Sequence, residues 1–74
     1  MGKLPCVSGA KMIKILESVG FTVIRIKGRH SVMRKGNYRT VVPLHEDLSK
    51  GTLLGILDQC GMTKADLERV LGKG

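Results

Sequence analysis

The sequence predicts an α+β fold in which helices cover one face of a three-stranded antiparallel sheet. Three observations predict it. Apolar residues recur at helical spacing before residue 20 and again after residue 50. Between these segments the hydrophobic period changes to two, the period of half-buried strands. Two glycine-led dipeptides, Gly28-Arg29 and Gly36-Asn37, divide that middle stretch into three pieces of hairpin length.

Residues 1–7 read as an extended arm. Ser8 can cap a first helix running to about Val19, because its hydroxyl accepts a backbone N–H of the first turn. Met12, Ile13, Leu16 and Val19 then face inward, with Lys11, Lys14 and Glu17 outward. Gly20 is placed to end that helix. Phe21–Ile26 is a β-branched, apolar strand that Arg25 interrupts, His30–Lys35 is a second strand, and Tyr38–Leu44 a third. Pro43 has no N–H to donate, which puts it on an edge or at a strand end. A two-residue turn at Gly36-Asn37 sets the register: Lys35 opposite Tyr38, Arg34 opposite Arg39, Val32 opposite Val41 and His30 opposite Pro43. His45 is then the diagonal neighbour of His30.

After a polar loop, His45–Ser49, a second helix begins near Gly51–Thr52 and buries Leu53, Ile56, Leu57 and Cys60. Gly61 stops it, and Thr63 with Asp66 forms a capping box for a short last helix bearing Leu67, Val70 and Leu71. With 74 residues there is room for one core, so residues 1–74 make a single domain. Helix, three strands, helix is the α-β-β-β-α order of the double-stranded RNA-binding domain.

The net charge of +7 points to a polyanionic partner. Its distribution says more than its size. Between Ser18 and His45 stand Arg25, Lys27, Arg29, Arg34, Lys35 and Arg39 with no acid among them; Glu17, Glu46, Asp47, Asp58, Asp66 and Glu68 all lie outside. The basic segment alternates like strands and forms no amphipathic helix, which disfavours a membrane surface. No apolar run is long enough to cross a bilayer, and Met1–Ser8 lacks the apolar core of a signal peptide. Cys6 and Cys60 form no CxxC pair and read as reduced, partly buried thiols, as expected of a cytoplasmic protein.

RNA is the polyanion this segment suits. RNA carries its own nucleophile, the 2′-hydroxyl, so an enzyme need only remove that proton, stabilise the phosphorane charge and assist the leaving oxygen. Imidazole exchanges a proton near neutral pH, and guanidinium and ammonium groups offer charge and donors to phosphate oxygens. His30 is therefore the candidate general base, with His45 as a possible general acid. Lys27, Arg29, Arg34, Lys35 and Arg39 are candidate phosphate contacts. Lys50 and Thr52, at the start of the second helix, form a further candidate phosphate site, although Thr52 can equally be a simple cap. No carboxylate cluster accompanies the basic segment, so no metal or other cofactor is expected.

Phe21 and Tyr38 are the only aromatics, too few for a base-stacking platform. A plainer reading of His30 is a histidine that touches RNA without chemistry, which makes the chain a non-catalytic RNA-binding module. A further rival is a helix-turn-helix DNA binder built from residues 52–71, but Lys64 and Arg69 there are offset by Asp66 and Glu68.

Four segments together resemble the HicA toxin family: Lys3-Leu4-Pro5-Cys6-Val7-Ser8-Gly9, Leu16-Glu17-Ser18-Val19-Gly20-Phe21, Lys27-Gly28-Arg29-His30, and Pro43-Leu44-His45 followed by Lys50-Gly51-Thr52-Leu53. They span nearly the whole chain in the family's order. The resemblance implies a ribosome-independent mRNA interferase, a toxin held inactive by a HicB-type antitoxin. The family's histidine, in its Gly-Ser-His motif, falls on His30; Arg29 stands where the serine would be, so that hydroxyl is missing.

Overall fold

Along residues 6–73, which the computed structural model describes, the elements are α1 (Gly9–Ser18), β1 (Thr22–Lys27), β2 (His30–Lys35), β3 (Tyr38–Pro43), α2 (Lys50–Gln59) and α3 (Lys64–Lys73). Lys3, Leu4 and Pro5 of the opening motif lie outside the described residues. The strands form one antiparallel sheet in the order β1-β2-β3. Each hairpin turns on two residues. Gly28 and Gly36 take positive φ (59° and 58°), whereas Arg29 and Asn37 do not. Glycine at the first central position with this sign pattern is the type II′ turn, whose twist matches that of the flanking strands.

Burial alternates along the strands as a one-sided sheet requires. Ser31 and Met33 of β2 and Thr40 and Val42 of β3 are buried, while His30, Arg34, Arg39 and Val41 are exposed. The buried face lies under the helices, which contribute Met12, Ile15 and Leu16 from α1, Leu53, Ile56 and Leu57 from α2, and Leu67 from α3. Among the described residues no helix lies on the other face.

The β2–β3 register is the expected one at every pair from Lys35–Tyr38 to His30–Pro43. Ser8 caps α1, its side chain accepting from the Lys11 N–H at 3.0 Å. The Thr63–Asp66 capping box is closed in both directions, at 3.0 and 3.1 Å. The Thr63 backbone N–H, and then its hydroxyl, hold the Asp66 carboxyl below the usual carboxylate range. β1 and β3 each depart from the expected bounds, β1 starting and ending one residue later and β3 ending at Pro43 instead of Leu44. α2 begins at Lys50, with Ser49 and not Thr52 as its cap, and α3 is as long as the other helices. Only one cysteine is buried: Cys6 is exposed, whereas burial pushes the Cys60 thiol up to about 11 and keeps it protonated.

Gly9 decides how closely α1 meets the sheet. A methyl group there would run into the Pro43 carbonyl oxygen, a clash only backbone movement could relieve. Gly55, in contrast, has open space around the same position. Gly9→Ala should therefore cost about 2 kcal/mol through overpacking, and Gly55→Ala should gain about 1 kcal/mol from helix propensity. Denaturant melts of the two variants check the opposite signs.

Candidate functional site

Register sorts the exposed face into three rows running across the sheet. Lys27, His30 and Pro43 form the first; Arg25, Val32 and Val41 the second; Thr22, Arg34 and Arg39 the third. Paired residues of antiparallel strands project to one side, with Cβ atoms roughly 5 Å apart. His30 thus stands between the Lys27 side chain and the Pro43 ring, on the open side of the central strand.

This arrangement depends on a β-bulge. The β1–β2 register shifts between Val23 and Arg25, so Ile24 and Arg25 together oppose Val32. Val23 packs against the core and faces the helices. Strict alternation from Val23 would send Arg25 and Lys27 inward as well; the extra residue returns both to the open face. Arg25 was not among the sequence-derived site residues, yet it belongs to this face. Two cations at inward positions of an apolar strand were the signal that a bulge had to intervene.

The His30 end of the sheet is also where two helices begin. The Gly9 N–H donates to the His45 carbonyl at 2.9 Å, and the far end of α1 meets Lys35 through the Val19 carbonyl. The last residue of α2, Gln59, accepts from the Thr40 hydroxyl at 2.7 Å, and Gly61 abuts the Tyr38 ring. The C-terminus of α2 therefore lies toward the Gly36–Asn37 turn and its N-terminus toward His30. The Leu48 N–H, donating to the Val7 carbonyl at 2.8 Å, ties the approach to α2 to the approach to α1. Arg29, exposed in the β1–β2 turn, and Lys50, at the start of α2, share this end with the positive poles of both helices.

The remaining sequence-derived residues divide. Arg34 and Arg39 pair on the open face, further along the sheet, and the Arg34 Nε donates to the Gly36 carbonyl at 2.9 Å. Lys35 lies on the opposite face, its Nζ donating to the Val19 carbonyl at 2.7 Å, where it caps α1. The Thr52 N–H donates to the Ser49 hydroxyl at 3.1 Å, so it serves the cap of α2. The ladder that would hold His45 diagonal to His30 ends at Pro43: the Leu44 N–H still bonds the Arg29 carbonyl at 2.7 Å, and then the chain bends to Gly9.

Among the described residues no three His, Cys, Asp or Glu are grouped to hold a metal ion. Two surface hollows lie elsewhere, one between α1 and α3 lined by Lys11, Ile15, Ser18 and Leu71, the other beside Cys6 and Glu46. Neither contains a histidine. An open, cationic face is the shape that a polymer needs and a small molecule does not. No helix of the described residues is long and apolar enough to cross a membrane.

No curated protein and no solved structure matches the sequence significantly. A family model does: that of the HicA toxin of bacterial toxin–antitoxin systems, over residues 9–62. The match covers α1, the whole sheet and α2, and it runs through Gly9, His30 and Lys50, the residues that define the His30 end. The chain belongs to the HicA toxin family.

Proposed function

We propose that this toxin is a metal-independent endoribonuclease that cleaves mRNA, with His30 as general base and a HicB-type antitoxin as its inhibitor. The observation that carries the reading is the place of His30. It is exposed on the central strand, beside Lys27 and next to Arg29, at the end where two helix N-termini and Lys50 add positive potential.

In this reading the scissile phosphate lies across the first row of the open face. His30 takes the proton of the 2′-hydroxyl, whose oxygen then attacks the adjacent phosphorus. Lys27 and Arg29 stabilise the charge that builds on the non-bridging oxygens. The 5′-oxygen leaves and takes a proton from water, giving a 2′,3′-cyclic phosphate on one fragment and a free 5′-hydroxyl on the other. Arg25, Arg34 and Arg39 hold the neighbouring phosphates along the sheet, and the start of α2 with Lys50 receives one more. The protein works where it is made, in the cytoplasm, on single-stranded message.

Catalysis separates from mere binding in one comparison. His30→Ala should lower the cleavage rate by about 100-fold or more, the usual worth of a general base, and leave RNA affinity nearly unchanged. Wild-type protein that binds RNA without cleaving it would establish the non-catalytic module instead. His45→Ala should have a much smaller effect, because the strand pairing stops short of it; a loss equal to that of His30→Ala would make it the general acid.

Binding should also depend steeply on salt. On single-stranded RNA each phosphate neutralised adds about 0.7 to the slope of log K against log salt. Replacing Lys27, Arg25 or Arg39 with alanine should reduce the slope by about that amount each. Lys35→Ala should leave the slope unchanged and lower the melting temperature, because its ammonium caps α1. A slope unaffected by the Lys27, Arg25 and Arg39 substitutions would remove the open face from the RNA site.

A further inference from the structure

Arg34 and Arg39 face each other across β2 and β3, both exposed on the open side of the sheet. The kind of pair decides how near their side chains come. The Leu44 N–H bonds the Arg29 carbonyl across the strands, and Pro43 has no N–H, so His30–Pro43 is a pair without mutual hydrogen bonds. Alternation makes Arg34–Arg39 a pair of the same kind, in which facing side chains are closest. Like charges directly opposite destabilise a sheet. The strands supply no counter-charge, because no acid stands between Ser18 and His45. Arg34 is also braced: its Nε donates to the Gly36 carbonyl at 2.9 Å, which leaves the terminal N–H groups for an anion. Two guanidinium groups over one spot, one of them held, form a receptor for an anion with two free oxygens. A phosphodiester is such an anion.

Distance from His30 selects which phosphodiester. A strand rises about 3.3 Å per residue, so the Arg34–Arg39 row lies roughly 13 Å from the His30 row. Six backbone bonds of roughly 1.5 Å, bent at each atom, put successive phosphates of an extended RNA about 6 Å apart. The separation of the rows is therefore two phosphate steps. Arg34 leans toward Gly36 and away from His30, so its reach does not shorten the gap to one.

We propose that the Arg34–Arg39 pair holds the phosphate two linkages from the scissile one, and so sets a minimum length and a register for the RNA that this toxin cuts. The inference rests on the ribonuclease reading, with the scissile phosphate at His30. It adds a second anchor. A dinucleotide has nothing to place there, whereas a longer strand is gripped at both rows with its cleavable linkage at the imidazole. Seating that phosphate also relieves the repulsion between the two arginines.

The test walks an uncharged linkage along a substrate with one cleavage point. A 2′-O-methyl oligonucleotide containing a single ribonucleotide can be cut at one linkage only. In copies of it, one phosphate at a time is replaced by a methylphosphonate, on either side of the ribonucleotide. For wild type, kcat/KM should fall about tenfold or more when the neutral linkage stands two steps from the scissile one, on one side. The double variant Arg34→Gln, Arg39→Gln should cut the unmodified strand more slowly by a similar factor. The same neutral linkage should then cost that variant no more than about twofold. Melting curves check that it is folded. Equal rates whichever distant linkage is neutral overturn the proposal and leave the pair to an acidic protein surface. A two-step effect that survives undiminished in the double variant also overturns it, because other residues then hold that phosphate. Wild-type protein that cuts neither this strand nor an all-ribose RNA of the same sequence defeats the ribonuclease reading, and this inference with it.

Discussion

Everything at the candidate site depends on the register of β2. It is the central strand, bonded on both sides, and its side chains alternate between the helices and the open face. Ser31 and Met33 go inward, and His30, Val32 and Arg34 outward. A slip of one residue would drive His30 and Arg34 under the helices and expose Met33, so the hydrophobic term and the cost of burying a guanidinium both oppose it. The two-residue turns at either end of β2 fix the same register independently. The position of the candidate base is thus set by the core itself.

The helices and the sheet edges complete that arrangement. Absence of a side chain at Gly9 lets α1 start directly on Pro43, and the loop after β3 satisfies its first N–H through the His45 carbonyl. At the other end, Lys35 satisfies the Val19 carbonyl of the same helix. Both edges of the sheet are blunted, β1 by its bulge and β3 by Pro43, which discourages strand addition there. The broad face that carries His30 stays open.

Much of this was legible in the sequence because the signals were local. Ser8, Gly36-Asn37 and the Thr63–Asp66 pair each specify a backbone geometry within four residues, and each is found as expected. The β2–β3 register followed from turn length alone. What escaped depends on tertiary packing. The bulge at Ile24 was hidden because Arg25 looked like an irregularity in an apolar strand, not like a demand for an extra residue. Lys35 was counted with the other cations, although its parity with Ser31 and Met33 already put it on the helical side. Ser49 displaced Thr52 as the cap because helix starts are legible only to within a residue or two. The Leu44–Arg29 bond and the bend to Gly9 arise from contacts distant in sequence, and no spacing rule announces them.

The most direct test is to map where RNA touches the protein. Amide and side-chain chemical shifts would be followed while a short single-stranded RNA oligonucleotide, made uncleavable by 2′-O-methylation at every position, is titrated into isotope-labelled protein. Perturbations should cluster on Lys27, Arg29, His30, Arg34 and Arg39, and on the start of α2 at Lys50 and Gly51. The groove between α1 and α3 should remain silent. Perturbations confined to α2, Gly61 and α3, with the open sheet face unaffected, would contradict this assignment and place the nucleic acid on the helices instead.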